Sequence, residues 1–266
     1  MENKISPTPL AVVTSAPARP VASRTKMLLE APILPTLLRL SAPNVLNLLA
    51  IAGMITFDGF FIGRLGGDAL AGVSLVFPWV MFIQHAAASG MGGAVSSAIA
   101  RALGAGQRDR ANALASHALA LVIVMAAVTS AFMLLCGPLL FRLMGGQGAV
   151  LTAALAYSSV VFCGAISVWA LNILANVVRG TGNMGLPAFV IVGSVLAHVL
   201  LSSALIFGWG PMPALGPAGA GWGLIISFGV GSIVLLVYLR STAALVTLAF
   251  RGVTLQWKLF AEILKV

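Results

Sequence analysis

The chain has 266 residues, 60% of them hydrophobic and only 8% charged, with a formal net charge of +9. A soluble globular domain carries about 25% charged residues, so this composition excludes one. Nucleic acid is excluded as a partner as well, because the basic residues stand between long apolar runs, with no basic face and no interleaved aromatic platform for bases.

Residues 1–32 are rich in Ser, Thr, Ala and Pro with scattered Lys and Arg, and lack the continuous apolar core of a secretory signal; they read as a disordered cytoplasmic tail. A spanning helix needs about 20 mostly apolar residues. The first candidate enters near Leu40 and ends near Gly63. The next three lie in the uncharged intervals between Asp68 and Arg101, Arg110 and Arg142, and Arg142 and Arg179. The uncharged run from Gly180 to Leu239 is too long for one helix and breaks at the Gly and Pro cluster 208–213, giving two more. The predicted fold is an all-α integral membrane bundle of six helices over residues 33–240. Residues 241–266 then read as a cytoplasmic linker and the start of a second, missing repeat, since Glu262-Ile263-Leu264-Lys265-Val266 echo Leu37-Leu38-Arg39-Leu40 at the entry to the first span.

With the N-terminus inside, every Lys and Arg except Arg64 and Arg142 falls on the cytoplasmic side, which places both termini there. The expected location is a bacterial plasma (inner) membrane, crossed several times, with the lipid bilayer as partner. No extramembrane segment is large enough to hold a soluble active site. Intramembrane enzymes are disfavoured too: Ala87 stands where a rhomboid-type protease motif needs glycine before Ser89, and a lipid phosphotransferase needs more aspartates than Asp58, Asp68 and Asp109. The chain is therefore not expected to be an enzyme or to hold a cofactor or metal.

Asp58 is the one acidic residue that hydropathy places inside the membrane. A carboxylate there is costly unless it is paired, hydrated or protonated, so it marks a functional site, and proton or cation exchange is its natural chemistry. Asp58 lies six residues before Arg64, about 9 Å below that surface. Ser202 lies six residues before Gly208 at the same end of the fifth span, hence at a similar depth. His198 and Ser202, spaced i and i+4, share one helix face. If the fifth span packs on the first, the three meet as a proton or cation site. Candidates for the substrate cavity or its gating are Pro43, Asn47 and Met54 on the first span, with Asn172 and Asn176 near the inner end of the fourth.

Several segments resemble the multidrug and toxic compound extrusion (MATE) family. They are Leu40-Ser41-Ala42-Pro43-Asn44, Asp58-Gly59-Phe60-Phe61-Ile62-Gly63-Arg64, Ala69-Leu70-Ala71-Gly72, Ala102-Leu103-Gly104-Ala105-Gly106-Gln107-Arg108, Arg179-Gly180-Thr181-Gly182-Asn183, and Gly216-Pro217-Ala218-Gly219. The resemblance implies an antiporter that expels small, mostly cationic organic compounds against an inward flow of H+ or Na+, with Asp58 as the family's acid in the first helix. Where many members carry Asn and Asp in the fifth helix, this chain has His198 and Ser202, which favours a proton over a sodium ion. Members have two parallel six-helix lobes, so this chain resembles the amino-terminal lobe. Its partner is then a missing second repeat or a second copy of the chain. A lipid-linked saccharide flippase of the same superfamily is the alternative, as is an inactive half-length fragment. A flippase would line its cavity with arginines for the pyrophosphate, whereas none is expected within these spans.

Overall fold

A computed structural model describes residues 32–210, 213–241 and 244–247. The expected tail up to residue 31 and the expected linker from residue 248 lie outside the described residues. All regular structure among the described residues is helical: α1 Ile33–Gly63, α2 Gly67–His85, α3 Gly92–Gly104, α4 Arg108–Leu143, α5 Gly148–Cys163, α6 Ala165–Gly180, α7 Gly185–Phe207 and α8 Pro217–Arg240. The chain divides after Ala42. The first unit contributes the helical stretch 33–42, and every feature below belongs to the second, which begins at Pro43.

Five helical segments are long and apolar enough to cross a bilayer, and the bent pair α5–α6 makes a sixth span. Large side chains such as Leu135 and Phe189 stand 80% and 75% exposed, which is how a bundle surrounded by hydrocarbon rather than water is built. The second span runs from Gly67 to Gly104. At 1.5 Å per residue that is about 57 Å, well beyond the roughly 30 Å hydrocarbon core, so it carries on past the membrane. The alternation of spans gathers Arg101, Arg108, Arg110, Arg179 and Arg240 at one end, with Arg64 and Arg142 at the other.

Two irregularities shape the interior. The expected fourth span is two helices meeting at a 49° bend. The break falls at Gly164, where any Cβ would run into the Ile225 side chain of α8. The second span contains a π-helical stretch, Ala86–Met91, between α2 and α3. Such a stretch misaligns the backbone ladder and is often found at functional positions. Asn176 of α6 donates from Nδ2 to the Ala88 carbonyl in it at 2.9 Å. The crossing needs Gly92, because a Cβ there would collide with the Asn176 amide.

Helix α6 is the centre of the lobe, buried along most of its length between α3, α4 and α8. Helices α7 and α8 form an antiparallel hairpin closed at Gly208, whose φ of 74° is the left-handed cap that glycine takes without strain. They approach closely through a stripe of small residues on α8. A Cβ at Gly219 would lie 2.6 Å from the Leu205 carbonyl, and one at Gly223 would lie 2.9 Å from the Ser202 backbone. Gly231 meets Ser194 two turns on. Small side chains at helical spacing are how membrane helices pack without a hydrophobic driving force.

Candidate functional site

The α7–α8 hairpin decides where the polar residues sit. Close packing against Gly223 and Gly231 leaves the side chains between them no route to lipid, and His198 and Ser202 are 1% and 0% exposed. Helix α1 brings Asp58 to them. His198 Nε2 lies 2.9 and 2.8 Å from the two carboxylate oxygens, and the Ser202 hydroxyl donates to Oδ1 at 3.2 Å. Asp58, His198 and Ser202 are thus brought together, across 140 and 144 residues of chain, at one level of the bundle. Asp58 does not turn to Arg64. That guanidinium lies over the Phe60 and Phe207 rings, 5.8 Å from each centroid, and Phe61 packs edge-on against Phe207. These aromatic contacts hold the end of α1 against the end of α7.

The proton geometry follows from which atoms are left over. With the carboxylate ionised, Nε2–H of a neutral imidazole donates to it and Nδ1 carries the lone pair. His198 Nδ1 is buried without a partner, and so is Ser227 Oγ. Gly223 faces Ser202 and Gly231 faces Ser194, so the antiparallel register brings Ser227 level with His198. One further proton on the pair is accommodated at Nδ1 whether the pair is written as carboxylate and imidazolium or as carboxylic acid and imidazole. The Nδ1 edge of the imidazole is therefore the part of the pair left without a hydrogen-bond partner.

Two cavities adjoin the site, sharing Met81 and Gln84 as a common wall. The first, about 230 Å³, is lined by Met54, Asp58, Phe77, Tyr157 and other apolar side chains, and Asp58 is its one formally charged residue. The second, about 400 Å³, is lined by Asn47, Gln84, His85, Asn172, Arg179 and apolar residues. Met54 thus belongs to the acidic cavity, and Asn47 and Asn172 to the second. Asn176 is instead turned to the Ala88 and Asn172 carbonyls as a tie between helices. Pro43 lies inside helical backbone, but its side chain is outside the described residues.

One expectation is corrected. No arginine was expected within the spans, but Arg179 lies in the last turn of α6, half-buried, and lines the second cavity. An uncharged-interval count ends a span at its first charge and cannot tell a residue past the helix end from one in its final inward-facing turn. The π-helical stretch was also missed; its signal was the small-residue run Ala86-Ala87-Ala88-Ser89-Gly90-Met91-Gly92-Gly93.

A helical lobe with enough apolar length for six spans, an acid–imidazole pair between two of them and polar cavities beside it is the architecture of an integral membrane bundle built around a polar interior. Comparison with known proteins gives the family: the MatE family model matches residues 43–203, more than half of the chain, and the chain belongs to the MATE family. It is 33% identical over 201 residues to an FAD transporter of Shewanella oneidensis, covering 76% of this chain and 44% of that protein. It is 29% identical to a probable multidrug resistance protein, YoeA, of Bacillus subtilis, covering 86% of this chain and 47% of that one. A probable multidrug resistance protein NorM of Thermotoga maritima is 31% identical, with coverages of 75% and 43%. The chain spans about half the length of the curated relatives it matches. Among solved structures, a MATE transporter in an outward-facing conformation superposes with a TM-score of 0.79 at 28% identity, covering 86% of this chain and 50% of that one. An inward-facing MATE structure gives a TM-score of 0.74 at 28% identity, with coverages of 80% and 48%.

Proposed function

We propose that this lobe is the proton-coupling half of an antiporter that exports small organic compounds. The observation that carries the reading is the Asp58–His198 pair, held by Ser202 at one level of the bundle. A proton suits it better than Na+. The pair offers one carboxylate, one hydroxyl and a ring nitrogen, and no cluster of three or more His, Cys, Asp or Glu able to hold a metal ion occurs among the described residues. Ordinary hard-cation sites are built mainly from oxygen. A proton arriving at Nδ1 neutralises the pair's net negative charge, which removes the cost of holding that charge inside the bilayer and lets α1 move against α7. In this scheme Pro43 is where α1 bends, since proline removes a helical hydrogen bond. Release of the proton toward the cytoplasm restores the pair.

The relatives' names support a small organic cargo, multidrug resistance for YoeA and NorM and FAD for the Shewanella protein. A cationic cargo fits the Asp58 cavity, whose methionine and aromatic walls surround a single acid. The positive-inside bias supports a bacterial inner membrane with both termini cytoplasmic, which turns the Arg179 end inward. A second six-helix lobe, as a second repeat or a second copy, completes the path, as the length of the relatives suggests.

The test is the pH profile of export in everted membrane vesicles that contain the transporter. His198→Ala should shift that profile while leaving the protein's abundance in the membrane unchanged. An unshifted profile would remove His198 from the coupling site.

A further inference from the structure

The Arg179 cavity has a polarity opposite to that of the Asp58 cavity, and its polar groups are unused. The Arg179 guanidinium makes no hydrogen bond or ion pair with any described residue. On the same walls, Gln84 Nε2 and Asn47 Oδ1 are buried without partners, on side chains 9% and 6% exposed. A buried amide atom left unpaired is costly, and a half-buried guanidinium without a counter-charge costs more. Three such groups on one cavity of about 400 Å³, large enough for a drug-sized molecule, describe a site whose occupant is an anion with a hydrogen-bonding edge.

We propose that this cavity binds an organic oxyanion, its phosphate or carboxylate on the Arg179 guanidinium and an amide- or imide-type edge on Gln84 and Asn47. The guanidinium fork matches the paired oxygens of either group. The edge supplies an acceptor to Gln84 Nε2 and a donor to Asn47 Oδ1, the two atoms the protein leaves empty-handed. Asp58, across the Met81 and Gln84 wall, is hostile to the same anion while ionised and tolerant of it once the pair is protonated. The inference rests on the transporter reading for its purpose, but binding is measured without transport.

Riboflavin and riboflavin 5′-phosphate share a ring with an imide edge and differ only in the phosphate, and each reports binding through its own fluorescence. In the detergent-solubilised chain, the phosphate should bind at least about ten-fold more tightly than riboflavin, the contribution of one charge-assisted bidentate contact. Arg179→Gln should abolish that difference and leave riboflavin binding unchanged; Gln84→Leu should weaken both probes equally. Competition by phenyl phosphate or benzoate would identify the preferred oxyanion. Equal affinity of the wild-type chain for the two flavins would overturn the proposal. So would equal loss of both probes in Arg179→Gln, or displacement by phosphatidylglycerol but by neither soluble anion. Undiminished export by Asp58→Asn would defeat the coupling reading without touching this result, and the reverse also holds.

Discussion

Asp58→Asn is expected to reduce proton-coupled export to the level of membranes without the transporter, while expression and folding stay intact. Asparagine keeps the volume of the side chain and can still hydrogen-bond His198 and Ser202, so the packing of α1 on α7 survives. What it loses is the charge that makes the site respond to a proton. Under the proposed coupling the wild-type pair alternates between one negative charge and none, and such a charge weighs heavily in a membrane interior. In the variant the uncharged state is permanent and α1 has no reason to move with pH. Export from everted vesicles under an imposed pH gradient, compared with abundance by immunoblot, checks this. Undiminished export at equal abundance would sink the coupling role of Asp58.

Gly223→Val should have the largest effect on stability. The new Cβ would stand 2.9 Å from the Ser202 backbone, and a helix backbone cannot give way as a flexible side chain can. The helices must separate, at a cost of about 3 kcal/mol. The separation occurs at the level of Ser202, one turn from His198, so the acid–imidazole pair should be lost with it. Gly53→Ala is the matched control, since nothing lies within 4 Å of the added Cβ, and the helix gains from the better former. Thermal melts of the two detergent-solubilised variants, followed by size-exclusion elution, should show a large drop for Gly223→Val and none for Gly53→Ala. Similar melting for both would mean that the stripe on α8 is not what holds the hairpin.

The parts of this lobe that could be read from sequence are those where one physical quantity dominates. Uninterrupted apolar runs locate six spans because the bilayer imposes a length. Counting residues from the charged or glycine-bearing ends puts Asp58 and Ser202 at one depth because helix rise is constant. Depth does not choose neighbours, so the packing of the fifth span on the first, which brings His198 to Asp58, stood in the sequence only as a condition. What stayed hidden depends on contacts between distant segments. Gly164 looks like any other glycine until Ile225 is seen against it. The small-residue run at the π-helical stretch hints at an irregularity but does not specify it, and Asn176 reaching the Ala88 carbonyl shows what the stretch accommodates. Arg179 looked like a loop charge until the last turn of α6 was seen to face a cavity. Asn47 and Gln84 became informative only when their partners proved to be missing.

The central claim is that Asp58 and His198 share a proton that comes and goes at the buried edge of the imidazole. Infrared difference spectra of the solubilised chain, recorded across a pH titration with isotope-labelled histidine, test it most directly. The account predicts that one carboxyl signal and the His198 ring signal change together in a single step, and that both changes vanish in Asp58→Asn. A carboxyl signal that titrates while His198 stays constant, or a spectrum unchanged by Asp58→Asn, would contradict it.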